Sequence, residues 1–333
     1  MPIAPAPARL IDAAGRPRLG VFSAPIADLN YRDFIRPGAS RPVPLHRIKR
    51  WLYLGVVSPE FIVGAAVVSL HLVGNVFFYV FDRRGGKLSE RSFLAPLCRG
   101  VNFDSNGIAG EVSFARGADR LTMRNDRPAG RHLLSAAVAG VRVEAEFEDR
   151  KEPLVCVTRT GFSGFNYTLK LAGLPVTAEL EIAGAKSRPA EAFGVMDYTT
   201  GCLARETFWN WAAGGGRDAA GNVVGINLVQ GVNETGFTEN AFWIGDRLVK
   251  VDTVTFDYDD RKILDPWRLR SWDGRVDLGF TPEGERKENV NALLIASRFH
   301  QPFGEFRGTL RDEAGGAHEV SLSGYTEEHF ARW

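Results

Sequence analysis

Five short motifs occur twice, in the same order, along this sequence of 333 residues. The paired segments are 51–53 with 209–211, 63–64 with 224–225, 75–83 with 240–247, 142–147 with 275–280, and 162–184 with 303–324. One such pair could arise by chance, but five pairs in one order indicate that a structural unit was duplicated. We therefore predict a first domain over residues 45–184 and a second over 185–333, preceded by an extended arm over residues 1–44.

Most of the sequence consists of short segments with strand character that are separated by glycine-containing turns. VRVEAEFE (141–148) alternates apolar and charged residues, and no long segment shows the 3.6-residue apolar period of an amphipathic helix. Each copy has the size of a lipocalin-like barrel, whose interior can hold one small ligand. The predicted fold class is all-β: two tandem lipocalin-like antiparallel β-barrels with few short helices, one of them at 325–333.

Residues 61–81 carry no formal charge over about the length of a membrane-spanning helix. The segment is rich in Val, Phe and Tyr and is interrupted by Gly64, Gly74 and Asn75, which favours strands over a helix. We predict two buried strands around a turn at 73–75 and no stable membrane insertion.

Composition and charge exclude several classes of protein. A formal net charge of +1 provides no broad electrostatic field for nucleic acid. Three widely spaced cysteines (Cys98, Cys156 and Cys202) argue against a disulfide framework, and the first residues lack the apolar core of a secretory leader, so we expect a cytoplasmic protein. The histidines have no metal-like spacing and no glycine-rich phosphate loop is present, so we expect neither a metal nor a cofactor. The sequence carries no signal for an oligomeric state.

The segment 197–216, DYTTGCLARETFWNWAAGGG, places two tryptophans and three glycines together. Aromatic residues at this density are typical of a core or a ligand cavity. If 207–211 is a strand, Trp209 and Trp211 share one face of it. The three glycines at 214–216 are interpreted as a flexible hairpin loop.

Three acidic residues near these aromatics are candidates for proton transfer. Asp197 either caps a turn or supplies an acid at the mouth of the second barrel, and Glu206 either pairs with a neighbouring strand or serves the same chemistry. Glu239 shares a predicted strand face with Trp243, and a carboxyl among aromatic rings loses hydration, which favours its protonated form. Such a group can protonate an alkene while aromatic faces stabilise the cation. The alternative is a Glu239 that faces solvent, with Trp243 in the core.

Residues 49–53 occupy the corresponding place in the first copy. Trp51 and Tyr53 match the tryptophan pair of the second copy and are candidates for contact with a ligand. Arg50 either clamps an anionic head group or joins the two domains through an ion pair.

Seven motifs, spread over nearly the whole chain, resemble the bacterial domain of unknown function 2804 family. They are KRWLYLG (49–55), VMDYTTG (195–201), RETFWNWA (205–212), GINLVQGVNE (225–234), TENAFWIGDRL (238–248), DPWRLRS (265–271) and FHQPFGEFRG (299–308). This family is similar to a calycin-like group that includes carotenoid 1,2-hydratases, AttH-like proteins and yeast survival-factor proteins linked to lipids. The resemblance implies two tandem lipocalin-like barrels. It further implies either cofactor-independent addition of water to an isoprenoid double bond or binding of lipids.

We predict an apolar small-molecule site at the domain interface or in the second barrel, and two functions remain open. One is acid-initiated hydration, cyclisation or isomerisation of an isoprenoid- or lipid-like substrate; the other is non-catalytic binding or carriage of such a ligand. The catalytic candidates are Glu239, Asp197 and Glu206. The ligand-binding candidates are Trp209, Trp211, Tyr198, Asn227, Asn240, Trp243, Trp51, Tyr53 and Arg50.

Overall fold

The computed structural model describes residues 3–231, 235–292 and 295–332, and strands dominate them. Fourteen strands of the described residues form a first sheet: β1 (Gly20–Phe22), β2 (Lys49–Val57), β3 (Phe61–Ser69), β4 (Val73–Asp82), β5 (Lys87–Pro96), β6 (Val101–Ser105), β7 (Ala109–Arg116), β8 (Asp119–Asp126), β9 (Arg131–Val138), β10 (Val141–Glu148), β11 (Leu154–Thr160), β12 (Gly164–Ile182), β13 (Ala185–Ser187) and β14 (Phe193–Cys202). Nine form a second sheet: β15 (Glu206–Asp218), β16 (Val223–Gln230), β17 (Ala241–Ile244), β18 (Arg247–Lys250), β19 (Val254–Asp257), β20 (Trp267–Ser271), β21 (Val276–Ala292), β22 (Ile295–Arg311) and β23 (Ala317–Arg332). Helical structure in the described residues is limited to 3₁₀ turns at Tyr31–Asp33, Leu45–Arg47 and Arg127–Ala129.

The two sheets share one strand order, as the internal repeat predicts. The first runs β5-β4-β3-β2-β14-β12-β10-β9-β8-β7-β6, and the second runs β18-β17-β16-β15-β23-β22-β21-β20-β19. In each, the first long strand pairs antiparallel with the last, β2 with β14 and β15 with β23. The predicted all-β class is confirmed, and we refer to the curled sheets of residues 20–202 and 206–332 as the first and second barrels.

The division between the barrels differs from the predicted boundary at 184/185. β14 pairs with β2 and β12 of the first sheet, so the first unit extends to Cys202 and the second starts at Glu206. The local match between 162–184 and 303–324 led us to end the first copy before β14. A local match does not show where the closing strand of a sheet lies.

The predicted pair of strands in 61–81 is confirmed as β3 and β4, although the turn falls at 70–72 and Gly74 and Asn75 belong to β4. None of the helices among the described residues is long and apolar enough to cross a bilayer. The predicted C-terminal helix is wrong. Residues 325–332 continue β23, which is hydrogen-bonded to β15 on one side and β22 on the other, and residue 333 lies outside the described residues. A central strand with two partners overrides the helical propensity of TEEHFAR.

Apolar side chains fill the interior of each barrel. In β10, Val141, Val143, Ala145 and Phe147 are buried and alternate with exposed charged residues, so one face of the strand supplies the core. The N-terminal arm packs into the same cluster, with Phe34 against Phe165 at a ring distance of 4.8 Å. A separate cluster is built around Trp267, Leu278 and Phe306 of the second barrel. A third apolar cluster lies between the barrels.

The three glycines at 214–216 are not a hairpin loop but the middle of β15, where the barrels touch backbone to backbone. A Cβ on Gly215 would lie 2.5 Å from the Cβ of Phe193 and 3.2 Å from the Cα of Gly173 in the first barrel. A Cβ on Gly225 would lie 2.2 Å from the carbonyl carbon of Ala172. Glycine is required here because the second barrel approaches β12 too closely for any side chain.

Candidate functional site

A cavity of about 440 Å³ lies between the two barrels, beside the third apolar cluster. The first barrel contributes residues of β2–β5, β12 and β14 to its wall, and the second contributes residues of β15 and β21–β23. Apolar side chains such as Val68, Phe77, Phe93 and Phe299 make up much of the lining. We call this space the inter-barrel cavity; its size suits one small organic ligand.

Lys170, Asp197 and Glu239 meet at the wall of this cavity, and we call them the acid–lysine cluster. Lys170 on β12 and Asp197 on β14 are directly paired in the sheet, and their charged atoms are 3.3 Å apart. Glu239, just before β17 of the second barrel, brings its Oε2 to 3.2 Å from the same ammonium. All three residues are buried, so the cluster is an ion-pair bridge between the barrels in a poorly hydrated place.

The charge of Lys170 is set by its two partners. Burial favours the neutral amine, but the Asp197 and Glu239 carboxylates outweigh it and hold the pKa of Lys170 above its ordinary value. The ammonium also lies 5.1 Å from the centre of the Trp211 ring, within reach of a cation–π interaction. Lys170 therefore stays cationic and keeps two carboxylates together.

Hydrogen bonds fix the carboxylate of Asp197. Its Oδ2 accepts from Trp51 Nε1 at 3.0 Å, and its Oδ1 accepts from the hydroxyl of Thr199 at 3.2 Å. Because side chains alternate along β14, Asp197 and Thr199 face the cavity while Tyr198 faces the interior of the first barrel.

Glu239 is placed through Asn227 and Trp211. Trp211 Nε1 donates to Asn227 Oδ1 at 2.8 Å, and Asn227 Nδ2 donates to the main-chain oxygen of Glu239 at 2.7 Å. The surroundings differ from those predicted, because an ammonium rather than aromatic rings alone faces the Glu239 carboxylate. Glu239 is therefore part of an ion-pair cluster with Lys170 and is not enclosed by aromatic rings alone.

Six of the twelve predicted site residues line the inter-barrel cavity: Trp51, Tyr53, Asp197, Trp209, Trp211 and Glu239. Asn227 supports them from behind through the two hydrogen bonds described above.

Five predicted residues lie elsewhere. Glu206 is exposed at the start of β15, 3.9 Å from Arg332, so it is not placed for chemistry in the cavity. The hydroxyl of Tyr198 donates to Ser105 O at 3.2 Å inside the first barrel. Asn240 Nδ2 donates to Asp252 O at 3.0 Å, and Trp243 Nε1 donates to Glu152 O at 2.7 Å, so both are used structurally.

Arg50, the fifth, neither faces the cavity nor joins the barrels. Its guanidinium lies 4.3 Å from the centre of the Phe103 ring and donates to Ser105 O at 2.8 Å, both in the first barrel. Besides the acid–lysine cluster, ion pairs between the barrels are made by Arg83 with Glu283 at 2.6 Å and by Arg286 with Glu90 at 2.9 Å.

Lys170 and the cavity-facing residues of β22 and β23 were missed by sequence reasoning. In TLKLAG, Leu169 and Leu171 face the barrel interior, so alternation already placed Lys170 and Thr168 on the opposite face. Glu327 and His329 share a strand face in the same way, but the helix predicted for this segment concealed that pairing. No group of three or more metal-ligating side chains comes together within the described ranges.

Solved structures with this architecture define the class. Kievitone hydratase from Nectria haematococca superposes with a TM-score of 0.51 at 12% identity, over 85% of this chain and 88% of that chain. A putative AttH from Nitrosomonas europaea gives a TM-score of 0.51 at 15% identity, over 88% and 98%. CghA in complex with Sch210972 gives 0.51 at 9%, over 86% and 88%. The fold is therefore that of the calycin-like proteins with two curled antiparallel sheets.

Within that class, the chain belongs to the family described as domain of unknown function (DUF2804), whose model matches residues 4–333. The predicted family membership is thereby confirmed. No curated protein has a sequence that matches this chain significantly.

Proposed function

We propose that this protein binds an apolar, isoprenoid- or lipid-like small molecule in the inter-barrel cavity and catalyses cofactor-independent proton transfer on it, leading to hydration or isomerisation. The observation that carries the proposal is the acid–lysine cluster: two carboxylates held by a buried ammonium at the wall of a mainly apolar cavity. Buried charges are costly, and a cluster of this kind at a cavity wall is typical of a functional site.

The state of the cluster suggests how the reaction starts. A carboxylate beside an ammonium is a base, so Asp197 or Glu239 removes a proton from the bound molecule and later returns it. Lys170 stabilises the negative charge that develops on the substrate as the proton leaves, and the faces of Trp209 and Trp211 pack against the apolar part of the substrate. Return of the proton to a different carbon gives isomerisation. For hydration the carboxylate instead takes a proton from water while the water oxygen bonds to one carbon of a conjugated double bond, and the proton then passes to the other carbon. One structural neighbour, kievitone hydratase, is a hydratase by name, which is compatible with this class of reaction.

The experiment uses the molecules that leave the cavity with the purified protein. Protein from its own host is examined by native mass spectrometry, and the extracted ligand is then incubated with enzyme in heavy water. Isomerisation changes the chromatographic retention of the ligand and introduces deuterium when the removed proton exchanges with solvent. Hydration adds one heavy water. We expect both Asp197→Asn and Glu239→Gln to slow this change about 10²-fold or more while the ligand still binds.

The control is Glu206→Gln, because Glu206 is exposed and lies away from the cavity. Wild-type enzyme that binds the ligand but changes neither its mass nor its chromatographic retention would show a carrier without chemistry. Full turnover in both cavity variants would refute the assignment of the acid–lysine cluster.

A further inference from the structure

Ser297, His329 and Glu327 form a second polar group on the wall of the inter-barrel cavity, separate from the acid–lysine cluster. Ser297 lies on β22, and Glu327 and His329 lie on the neighbouring β23. Trp209 on β15 is paired with His329 in the sheet. The three side chains therefore come from two adjacent strands and face the same space.

The order of the contacts is hydroxyl, imidazole, carboxylate. Ser297 Oγ is 2.9 Å from His329 Nε2, and His329 Nδ1 is 3.5 Å from Glu327 Oε1. A hydroxyl beside one imidazole nitrogen, with an acid beside the other, is the arrangement that activates a serine as a nucleophile. Such contacts are commonly longer in an unliganded site than in the reacting complex.

The histidine and the acid are both held in place. Glu327 is buried, and it accepts from Trp209 Nε1 at 2.8 Å and from Gln301 Nε2 at 3.4 Å. The His329 ring lies 4.2 Å from the Trp209 ring on one strand and 5.0 Å from the Phe299 ring on the other. A base fixed by packing and a hydrogen-bonded acid is the support that a reactive serine needs.

We infer that Ser297 is a nucleophile, activated by His329 and positioned by Glu327, that cleaves esters with an apolar acyl group. Ser297 Oγ bonds to the ester carbonyl carbon while His329 Nε2 takes the hydroxyl proton. The carbon–oxygen bond to the alcohol then breaks, and His329 gives the proton to the leaving oxygen. Water then attacks the acyl carbon while His329 Nε2 takes a proton from it, the bond between this carbon and Ser297 Oγ breaks, and His329 returns the proton to Ser297. The products are an acid and an alcohol. This activity does not depend on proton transfer at the acid–lysine cluster.

The first test is covalent labelling with an alkyl fluorophosphonate, which needs no knowledge of the natural substrate. Ser297 Oγ forms a bond to phosphorus, fluoride leaves, and the hydroxyl proton passes through His329 to solvent. Intact-mass and peptide mass spectrometry should show one label, on Ser297. Labelling should disappear in Ser297→Ala and slow about 10²–10⁴-fold in His329→Gln. An unlabelled wild-type protein, or equal labelling of Ser297→Ala, overturns the inference.

The matched control is Ser135→Ala, since Ser135 also donates to an acid (Glu144 at 2.7 Å) but lies on the outside of the first barrel. It should be labelled at the wild-type rate. For Glu327→Gln we expect slower labelling. The affinity of this variant for N-phenyl-1-naphthylamine, an apolar fluorophore, should not change. Reduced affinity together with an unchanged labelling rate would show that Glu327 has a purely structural role.

The second test is hydrolysis of 4-nitrophenyl butyrate by wild-type protein, Ser297→Ala and the control Ser135→Ala. Hydrolysis should require Ser297 and persist in Ser135→Ala. This ester has no alkene on which the proposed function could act, so its hydrolysis is separate from that function. Equal hydrolysis by wild type and Ser297→Ala would contradict the assignment even if the acid–lysine cluster proves catalytic.

Discussion

The interior of the barrels and the layer between them are built from opposite faces of the same strands. On β2, Leu52, Leu54 and Val56 point into the first barrel, whereas Trp51 and Tyr53 point toward the second. The interior face carries packed apolar side chains, and the outer face carries the aromatic residues and the charges that meet at the cavity. The proposed binding site therefore lies where two barrels meet, and not inside a barrel as in a single lipocalin-like unit.

The difference follows from how each space is filled. Phe114, Phe147 and many aliphatic side chains occupy the first barrel, and Phe34 of the arm adds to them, so this interior is packed rather than hollow. Between the barrels the backbones touch at Gly173, Gly215 and Gly225, and they diverge toward the aromatic and charged residues. A close contact at one end and large side chains farther along leave a cavity between the barrels.

Among the changes that test this comparison, removal of Lys170 should lower the stability of the protein most. Lys170→Met leaves Asp197 and Glu239 buried without their cation, and we expect a loss of about 3–5 kcal/mol in the free energy of unfolding, measured by urea denaturation. The triple variant Lys170→Met, Asp197→Asn, Glu239→Gln removes the charges together and should recover much of that loss.

The control for this prediction is Lys186→Met. Lys186 is exposed and pairs with Glu179 on the surface of the first barrel, so its loss should lower the free energy of unfolding much less than the loss of Lys170 does. Equal costs for the two lysine variants would show that the acid–lysine cluster is no more than a surface ion pair.

A methyl group added at the contact between the barrels should cause the next largest loss of stability. Gly225→Ala places a Cβ about 2 Å from the backbone of Ala172 and should cost at least about 1–3 kcal/mol. Gly279→Ala is the matched control on the second barrel, since the nearest atom to its Cβ is Arg307 O at 3.8 Å. A Gly225→Ala protein as stable as Gly279→Ala would mean that the barrels are not in backbone contact there.

Loss of the pH-dependent contact between His318 and Asp218, which lies away from the cavity, should have the smallest effect on stability. The hydrogen bond to Asp218, and a second to Asp312, raise the pKa of His318 above its ordinary value despite partial burial. This contribution is complete below the unfolded pKa of about 6.5 and is lost as pH rises through the higher folded pKa.

Wild type should therefore exceed His318→Gln in stability by up to about 1 kcal/mol near pH 6, and by less near pH 8, in thermal unfolding. Neither His318 nor its two acidic partners line the inter-barrel cavity, so binding of an apolar fluorophore should not change. A stability difference that grows with pH would reverse the sign and refute the ion-pair assignment.

The sequence predicted the duplicated all-β fold because strand alternation and the repeat are local patterns. It also paired Trp209 with Trp211, and Trp51 with Tyr53, on common strand faces. Alternation identifies two faces but does not tell which of them meets another sheet. That limitation placed Tyr198 and Arg50 in the site, although both face the first barrel or its loops.

Non-local contacts explain the remaining errors. Glycines at 214–216 signal a turn by composition, but at Gly215 the reason is the other barrel, and at Gly214 and Gly216 it is the neighbouring strand β23 of the same barrel. The role of Lys170 depends on its ion pair with Glu239, which lies in the other barrel and far along the chain. Neither relationship can be read from spacing in the sequence, because both depend on how the two finished barrels pack.

The most direct test of a ligand site between the barrels is a fluorescence titration with N-phenyl-1-naphthylamine. Val68→Trp fills the inter-barrel cavity from β3, whereas Leu52→Val changes only the interior of the first barrel. We predict saturable binding by wild type and by Leu52→Val, and its loss in Val68→Trp. Unchanged binding in Val68→Trp, together with weakened binding in Leu52→Val, would place the ligand inside the barrel and contradict the account.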